Sequence, residues 1–353
     1  MNPIASLILP PLGAVYRVIT QSRVRAYEAG WLPVSKLAAP VISVGNLTTG
    51  GTGKTPLVDW ICRVIDSNTN QSQKRLCVLT RGYGRTDTKA QVVVSDGVGL
   101  LANEAESGDE AYLLARNLLG IAAVIANADR YEAGKWAIQN LGSEVFVLDD
   151  GFQHLRLARD LNIAVIDATN PWGGGDLLPS GRLREKPRGL KRADCVVITR
   201  SEQAEKVDRL KEEVEQIAGE VPVFVSRMVT THLTDLKSEQ NDAERLRSVP
   251  VVAFCGVGNP QSFFSHLRSE GFSIVHTRSF PDHHHYTQAN IDRLLDDART
   301  HKAQALITTA KDATKLASCK FEIPCLVLEI SVAIDDEDRL MEMIRSVTHK
   351  KDK

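Results

Sequence analysis

Apolar, β-branched runs recur along the chain, each short and each followed by an amphipathic stretch. Val41–Val44, Leu76–Thr80, Ala122–Ala126, Val145–Leu148, Ile163–Ile166 and Cys195–Thr199 carry almost no polar residue. Such runs predict strands buried on both faces, as in a parallel sheet covered by helices. Alternation of these strands with helical patterns predicts an α/β/α sandwich. A polar stretch around Thr230–Arg247 interrupts the series, which resumes at Val251–Cys255, Ser273–His276, Ala305–Thr308 and Cys325–Glu329, with a helix expected over Asn290–Arg299. The expected fold is therefore a sandwich like that of P-loop NTPases, with a second, smaller α/β domain. Its expected divisions are 1–35, an N-terminal segment; 36–229, the phosphate-loop domain; 230–248, a linker; 249–330, the smaller domain; and 331–353, a terminal segment returning to the first domain.

Composition supports this division and narrows the partners. A chain of 353 residues exceeds the roughly 250 at which one core stops growing. Lys and Arg number 43 against 44 Asp and Glu, a net charge of −1, so no global basic field argues for nucleic acid. The six cysteines are scattered, with no C-x-x-C pair, which fits a reducing compartment and gives no zinc or disulfide framework. The apolar stretch Ile4–Tyr16 is interrupted by Pro10, Pro11 and Gly13 and is shorter than the ~20 residues of a spanning helix. With no basic segment before it, it does not read as a signal peptide.

The first chemistry-bearing motif lies where the first strand ends. Val41–Val44 runs into Gly45-Asn-Leu-Thr-Thr-Gly-Gly-Thr-Gly-Lys-Thr-Pro56 and then a helix-like stretch, Leu57–Ile65. Glycines let successive N–H groups face phosphate oxygens, and the helix N-terminus adds its dipole. Thr48, Thr49, Gly50, Gly51, Thr52, Gly53, Lys54 and Thr55 are the expected nucleotide-binding residues, Lys54 for the β/γ-phosphates and Thr55 for Mg²⁺. The strict pattern has glycine where Thr48 stands. A glycine turn that merely caps a helix is the ordinary alternative, and Gly-Lys-Thr after a buried strand argues against it. A second strand, Val145–Leu148, ends in Asp149 and Asp150, suited to holding the metal of ATP and Mg²⁺.

Two other nucleotide-protein classes compete. A membrane-partitioning switch ATPase carries a signature lysine where Thr49 stands, and a guanine site requires an Asn-Lys-x-Asp motif that Thr309-Ala-Lys-Asp312 does not match. An adjacent run, His283-His284-His285 after Asp282, has zinc-ligand residue types, but neighbours on a loop rarely point at one ion.

Four segments together resemble the tetraacyldisaccharide 4′-kinase family of lipid A biosynthesis: Val44 through Pro56, Arg81-Gly-Tyr-Gly-Arg85, Asp149-Asp-Gly-Phe-Gln-His154 and Gly181-Arg-Leu-Arg-Glu185. The resemblance implies transfer of the γ-phosphoryl of ATP to the 4′-hydroxyl of a lipid-A disaccharide 1-phosphate, at the cytoplasmic face of a Gram-negative inner membrane. It implies Asp109, in Ser107-Gly-Asp109-Glu110, as base candidate, with His283 as its partner. Glu185 is expected near the metal with Asp149, Asp150 and Thr55, and Arg182 and Arg184 near phosphates. Catalysis is thus assigned to Asp109, His283, Lys54, Asp150 and Glu185, the acid–imidazole pair meeting across the interdomain cleft, with closure expected to accompany transfer. Two departures stand out: Lys186 between Glu185 and Pro187, and Ala310 where the family usually has glutamate. No chemistry is expected of Thr308–Ala313, and Arg81–Arg85 reads equally as a glycine turn or a substrate contact. His154 is close enough in sequence to reach the acids or only to orient them. No obligate protein partner is implied.

A lipid substrate requires a place to meet the bilayer. Ile4, Leu7, Ile8, Leu9, Leu12, Val15, Tyr16 and Val18, followed by Arg17, Arg23 and Arg25 with Tyr27 and Trp31, read as an interfacial anchor with basic residues for anionic lipid. A helix docked on the core is the competing reading.

Overall fold

A computed structural model of the chain describes residues 3–67, 75–236 and 248–348, with side chains described from residue 11 onward. Twelve strands form one sheet in the order β10-β9-β11-β12-β8-β7-β6-β1-β5-β2-β4-β3. The first half holds β1 (Val41–Asn46), β2 (Leu76–Thr80), β3 (Val92–Ser95), β4 (Ala122–Ala126), β5 (Val145–Asp149), β6 (Leu161–Asp167) and β7 (Cys195–Thr199). β1 lies between β5 and β6, parallel to both, and only the edge strand β3 runs antiparallel. Helices α2 (Lys54–Ser67), α3 (Glu104–Ser107), α4 (Asp109–Asn117), α5 (Arg130–Leu141) and α6 (Val207–Ala218) belong to this half. Leu57, Val58 and Ile61 of α2 join Leu114 of α4 in one core on one face, while Ala133 and Ala137 of α5 pack on the other. Every strand residue of β1, β2, β4, β5, β6 and β7 is buried, which is why these runs lack polar alternation.

The second half contains β9 (Val251–Cys255), β10 (Ile274–Ser279) and β11 (Ala305–Thr309), all parallel. α7 (Pro260–Ser269) and α8 (Gln288–Thr300) flank it. β8 (Val223–Asp235) and β12 (Cys325–Ile334) join the halves. The start of β8 pairs parallel with β7, and the remainder pairs antiparallel with β12, whose own start pairs parallel with β11. Residues 230–235, expected as the opening of a linker, are therefore strand; the threonines and histidine that made them look loop-like alternate along a ribbon only partly buried. The rest of that expected linker, 237–247, lies outside the described residues.

This ribbon decides where the site forms. β8 leaves the first half at the carboxyl ends of its strands, and β12 returns antiparallel to it. β9, β10 and β11 run with β12, so their carboxyl ends point back at those of β1 and β5. Ligands of open α/β sheets bind beyond the carboxyl ends of strands, and here two such edges face each other.

After the ribbon, α10 (Glu337–Thr348) returns to the first half, with Leu340, Ile344 and Val347 packed in the core of Trp60 and Ile61. At the other terminus α1 spans Pro3–Glu28, a continuous helix despite Pro10 and Pro11. Among the described residues no helix is long and apolar enough to cross a membrane.

Candidate active site

The glycine-rich loop leaves β1 beneath Phe152: a Cβ on Gly45 would lie 2.4 Å from the Phe152 amide nitrogen, so only glycine lets the two motifs touch. Asn46, the last residue of β1, ties the loop together, donating to Thr52 Oγ1 at 2.9 Å and accepting from Lys54 Nζ at 3.2 Å. Thr48, at the position of a glycine in the strict pattern, forms an antiparallel bridge with Leu183, and Thr49 N donates to Arg182 O at 2.8 Å. The loop is thus laced to the segment bearing Arg184 and Glu185. Thr199 of β7 donates to Thr52 O at 2.8 Å, and Arg200 donates to Gly51 O at 2.7 Å.

Asp149 and Asp150 end β5 beside this loop. Thr80 donates to Asp149 Oδ2 at 3.0 Å. Burial pushes the Asp149 carboxyl up to about 6, with Glu110 and Asp150 adding to the effect. Asp150 adopts the left-handed region, φ 52, which turns it toward Arg184 Nη1 at 2.6 Å and Lys54 Nζ at 3.5 Å. Burial works to raise its carboxyl too, but Lys54 and Arg184 outweigh burial and hold it below the usual range. Glu185 is buried, accepting from Gln153 Nε2 at 2.9 Å and paired with Arg192 Nη2 at 2.6 Å. Lys186 does not displace it, because a 3₁₀ turn over Pro187–Arg192 brings Arg192 back onto Glu185.

Among the described residues, no three His, Cys, Asp or Glu side chains converge into a cage for a metal ion, and this holds for His283–His285 as well. Mg²⁺ is ordinarily held by one or two carboxylates together with phosphates and water, so a partial donor set is the appropriate one. Asp150 Oδ1 is a buried oxygen without a hydrogen-bond partner, and it lies on the loop side, facing Lys54. The residues present fit the ion.

Asp109 opens α4 after Gly108, whose φ of 86 requires glycine. His283 follows β10 on the opposite half and is itself left-handed, φ 59. Its Nδ1 lies 3.0 and 2.9 Å from the two Asp109 oxygens, so the pair is already joined in this structure. The hydrogen bond to Asp109 raises the imidazole's pKa, with burial opposing. The Tyr83 ring packs beside it, tilted at 46° with centroids 5.4 Å apart. Arg85 is a turn anchor: it is buried and donates to Ala90 O, Ala126 O and Thr88 O.

Residues to which no role had been assigned complete the site. Lys311 Nζ reaches Glu110 at 3.0 Å, Asp282 at 3.4 Å and Asp109 at 3.7 Å, and Lys315 Nζ reaches Asp109 at 2.9 Å. Both sit just past β11, within or after the short helix α9 (Ala310–Ala313). The only sequence signal was position: lysines beyond the carboxyl end of a buried strand. Gln153, Asn46 and Arg192 were likewise visible only as neighbours of motif residues. His154 touches neither acid among the described hydrogen bonds; burial lowers it to about 4, with Arg130 adding to the effect.

Beside the loop lies a cavity of about 660 Å³. The loop from Gly50 to Pro56 forms one end, Met228, Leu328 and Ile330 of the ribbon the apolar floor, and Val257–Asn259 and Phe263 the second-half wall. A Cβ on Gly258 would come within 3.1 Å of Gly51 N, so the second half closes directly over the phosphate loop.

The family model of tetraacyldisaccharide-1-P 4′-kinase matches residues 5–349. Proteins named tetraacyldisaccharide 4′-kinase are similar to the chain: that of Geobacter metallireducens at 43% identity over 88% of each chain, and that of Syntrophotalea carbinolica at 35% over 96% of this chain and 91% of that one. A crystal structure of LpxK from Aquifex aeolicus in complex with ATP superposes with a TM-score of 0.76, at 33% identity, covering 96% of this chain and 98% of that one. The chain belongs to the tetraacyldisaccharide-1-P 4′-kinase family.

Proposed function

We propose that the chain is an ATP-dependent kinase that transfers the γ-phosphoryl group to the 4′-hydroxyl of tetraacyldisaccharide 1-phosphate. The observation that carries this reading is the joined Asp109–His283 pair, set across a cleft from a phosphate loop, in a chain of this family. A hydrolysing switch has no need of a base for an alcohol, whereas a sugar hydroxyl must lose a proton during transfer.

The loop amides from Gly50 to Thr55 and the ammonium of Lys54 receive the β- and γ-phosphates, and the apolar cavity beside them receives the nucleoside. Thr55, Asp149, Asp150 and Glu185 would hold Mg²⁺, which when bound neutralises charge developing on the transferring group. The acceptor hydroxyl lies between the γ-phosphate and the Asp109–His283 pair. Its oxygen attacks in line, its proton passes to the pair, and ADP leaves.

The acylated substrate is met at a membrane surface through α1. Leu12, Val15, Val18 and Ile19 are more than half or half exposed, and Trp31 is 81% exposed, an apolar surface left uncovered by the rest of the molecule. Ile4, Leu7, Ile8 and Leu9 of the expected anchor have side chains outside the described residues. Use of cytosolic ATP puts this surface at the cytoplasmic face of the inner membrane.

Purified chain incubated with γ-labelled ATP, Mg²⁺ and the disaccharide 1-phosphate in detergent is expected to move label into the lipid. Label released only as inorganic phosphate would instead favour a membrane-associated switch ATPase.

A further inference from the structure

The second half touches the phosphate loop through one short turn, Gly256-Val-Gly258, and a single carboxyl lies beneath it. Asp312 has no exposed surface. Its Oδ2 accepts from the Gly256 amide at 3.0 Å and from Thr309 Oγ1 at 2.8 Å, and its Oδ1 accepts from Tyr286 OH at 3.0 Å. These donors come from the carboxyl ends of three parallel strands: Gly256 follows β9, Tyr286 follows β10, and Thr309 ends β11. Lys311 and Lys315, on either side of Asp312 in the chain, direct their ammonium groups at Asp109. Among the described residues, burial of the Asp312 carboxyl is therefore offset by hydrogen bonds.

The turn is fitted closely to this carboxyl on one side and to the phosphate loop on the other. A Cβ on Gly256 would lie 3.1 Å from Asp312 Oδ1, 3.1 Å from Pro281 O and 3.2 Å from His284 Cβ. Two residues on, a Cβ on Gly258 would lie 3.0 Å from Asp282 Oδ2 and 3.1 Å from Gly51 N. Val257, Gly258 and Asn259 line the cavity beside the loop. Asn259 caps α7, accepting from Ser262 N at 3.2 Å, and donates to Thr169 Oγ1 of the first half at 3.2 Å. Tyr286 is itself held edge-on against Phe254 and Phe280, with centroids 5.7 and 5.1 Å apart.

Resting on the kinase reading for what the phosphate loop binds, we propose that Asp312 and Tyr286 are positioning residues for ATP, acting through the Gly256–Gly258 turn. Neither reaches the nucleotide. Together they fix the turn in advance over Gly50 and Gly51, whose amides receive phosphate oxygens, so less ordering remains to be done when ATP binds. A fixed turn also keeps water from those amides, which strengthens their hydrogen bonds to phosphate. Without the carboxyl, the Gly256 amide would be buried and unpaired, and the turn would shift to find another acceptor. His283 keeps its separate tie to Asp109, so the loss falls on ATP affinity and spares the chemical step.

The test measures the Kd for ATP with Mg²⁺ by calorimetry on the full chain without lipid, and kcat and KM for ATP with the disaccharide 1-phosphate in detergent. Asp312→Ala, which removes all three acceptor contacts, is expected to weaken ATP binding about tenfold or more, and Tyr286→Phe, which removes one, about threefold. Asp312→Asn can keep the Gly256 and Thr309 contacts through its carbonyl oxygen and is expected to restore affinity to within about twofold of the unaltered chain. KM follows Kd in each case, while kcat at saturating ATP changes less than about twofold. Should Asp312→Ala fail to fold, Tyr286→Phe and Gly256→Ala decide the matter, since the added methyl would push the turn off the same carboxyl. A lowered unfolding midpoint with Kd unchanged, or a fall in kcat with Kd unchanged, would overturn the inference. The expected order of affinities in a chain that moves no phosphate to the lipid would support it and defeat the kinase reading.

Discussion

Asp149 and Asp150 are chain neighbours with opposite acidities, and their surroundings account for it. Asp149 is fully enclosed at the end of β5 with Thr80 as its hydroxyl donor, whereas Asp150 turns out to Lys54 and Arg184. A carboxyl raised to about 6 favours the fold below its unfolded pKa of about 4, and that contribution is lost as pH rises through 6. Asp149→Asn is therefore expected to stabilise the chain at pH 8 by on the order of 1–3 kcal/mol, measured by denaturant unfolding, while phosphoryl transfer falls at least a hundredfold. A destabilised variant would show that the charge is compensated by more than the neighbours described. On the proposed reading, in which Asp149 helps hold Mg²⁺, protons compete with the ion at this carboxyl, so the Mg²⁺ concentration for half-maximal transfer is expected to rise as pH falls below 6.

Much of this was legible residue by residue. Lys54, Thr55, Asp149 and Asp150 stand where a glycine loop and an apolar strand end, and those positions carry their own physical warrant. Asp109, His283 and Glu185 were found by resemblance; nothing in their local spacing marks them. Lys311 and Lys315 could not be read at all, because a lysine past a strand acquires meaning only when a helix from 200 residues earlier in the chain meets it.

Elements make those meetings possible. β1, its loop and α2 form one unit, and β10 and β11 deliver His283 and Lys311 to it from the other half. Gly258, in the turn between β9 and α7, lies against the phosphate loop, where a Cβ would come within 3.1 Å of Gly51 N. Gly258→Val is expected to leave the fold intact and raise the KM for ATP about tenfold or more, since its side chain would crowd the loop amides. An unchanged KM would mean the halves separate when nucleotide binds. For α1, removal of residues before Ser22 is expected to abolish sedimentation with anionic liposomes, while ATP binding persists; full retention would assign the membrane surface elsewhere. Of the elements, the buried parallel strands were readable from their apolar runs. β8 was not, because eight of its thirteen side chains are partly or fully exposed along a ribbon that no local pattern distinguishes from a loop.

At the scale of the molecule, the ribbon of β8 and β12 turns two parallel sheets carboxyl edge to carboxyl edge. On the proposed reading one edge holds the phosphate donor and the other presents the imidazole, so neither half has the means for transfer alone. α10 ties the end of the chain to the core of the first half: Leu340 and Ile344 are fully buried, and Leu340→Ala is expected to cost about 2–5 kcal/mol, read from the unfolding midpoint. Sequence periodicity foresaw two α/β halves, but not that one sheet runs through both, since that depends on the antiparallel pairing of strands some ninety residues apart.

The central claim is that this cleft phosphorylates the 4′-hydroxyl of a disaccharide already bearing a 1-phosphate. ³¹P–¹H correlation NMR of the lipid recovered after reaction with ATP and Mg²⁺ tests it most directly. The account predicts a second phosphomonoester coupled to the proton on C4′ of the distal sugar. Phosphate on any other carbon, a pyrophosphate at position 1, or ADP accumulating beside unmodified lipid would contradict it.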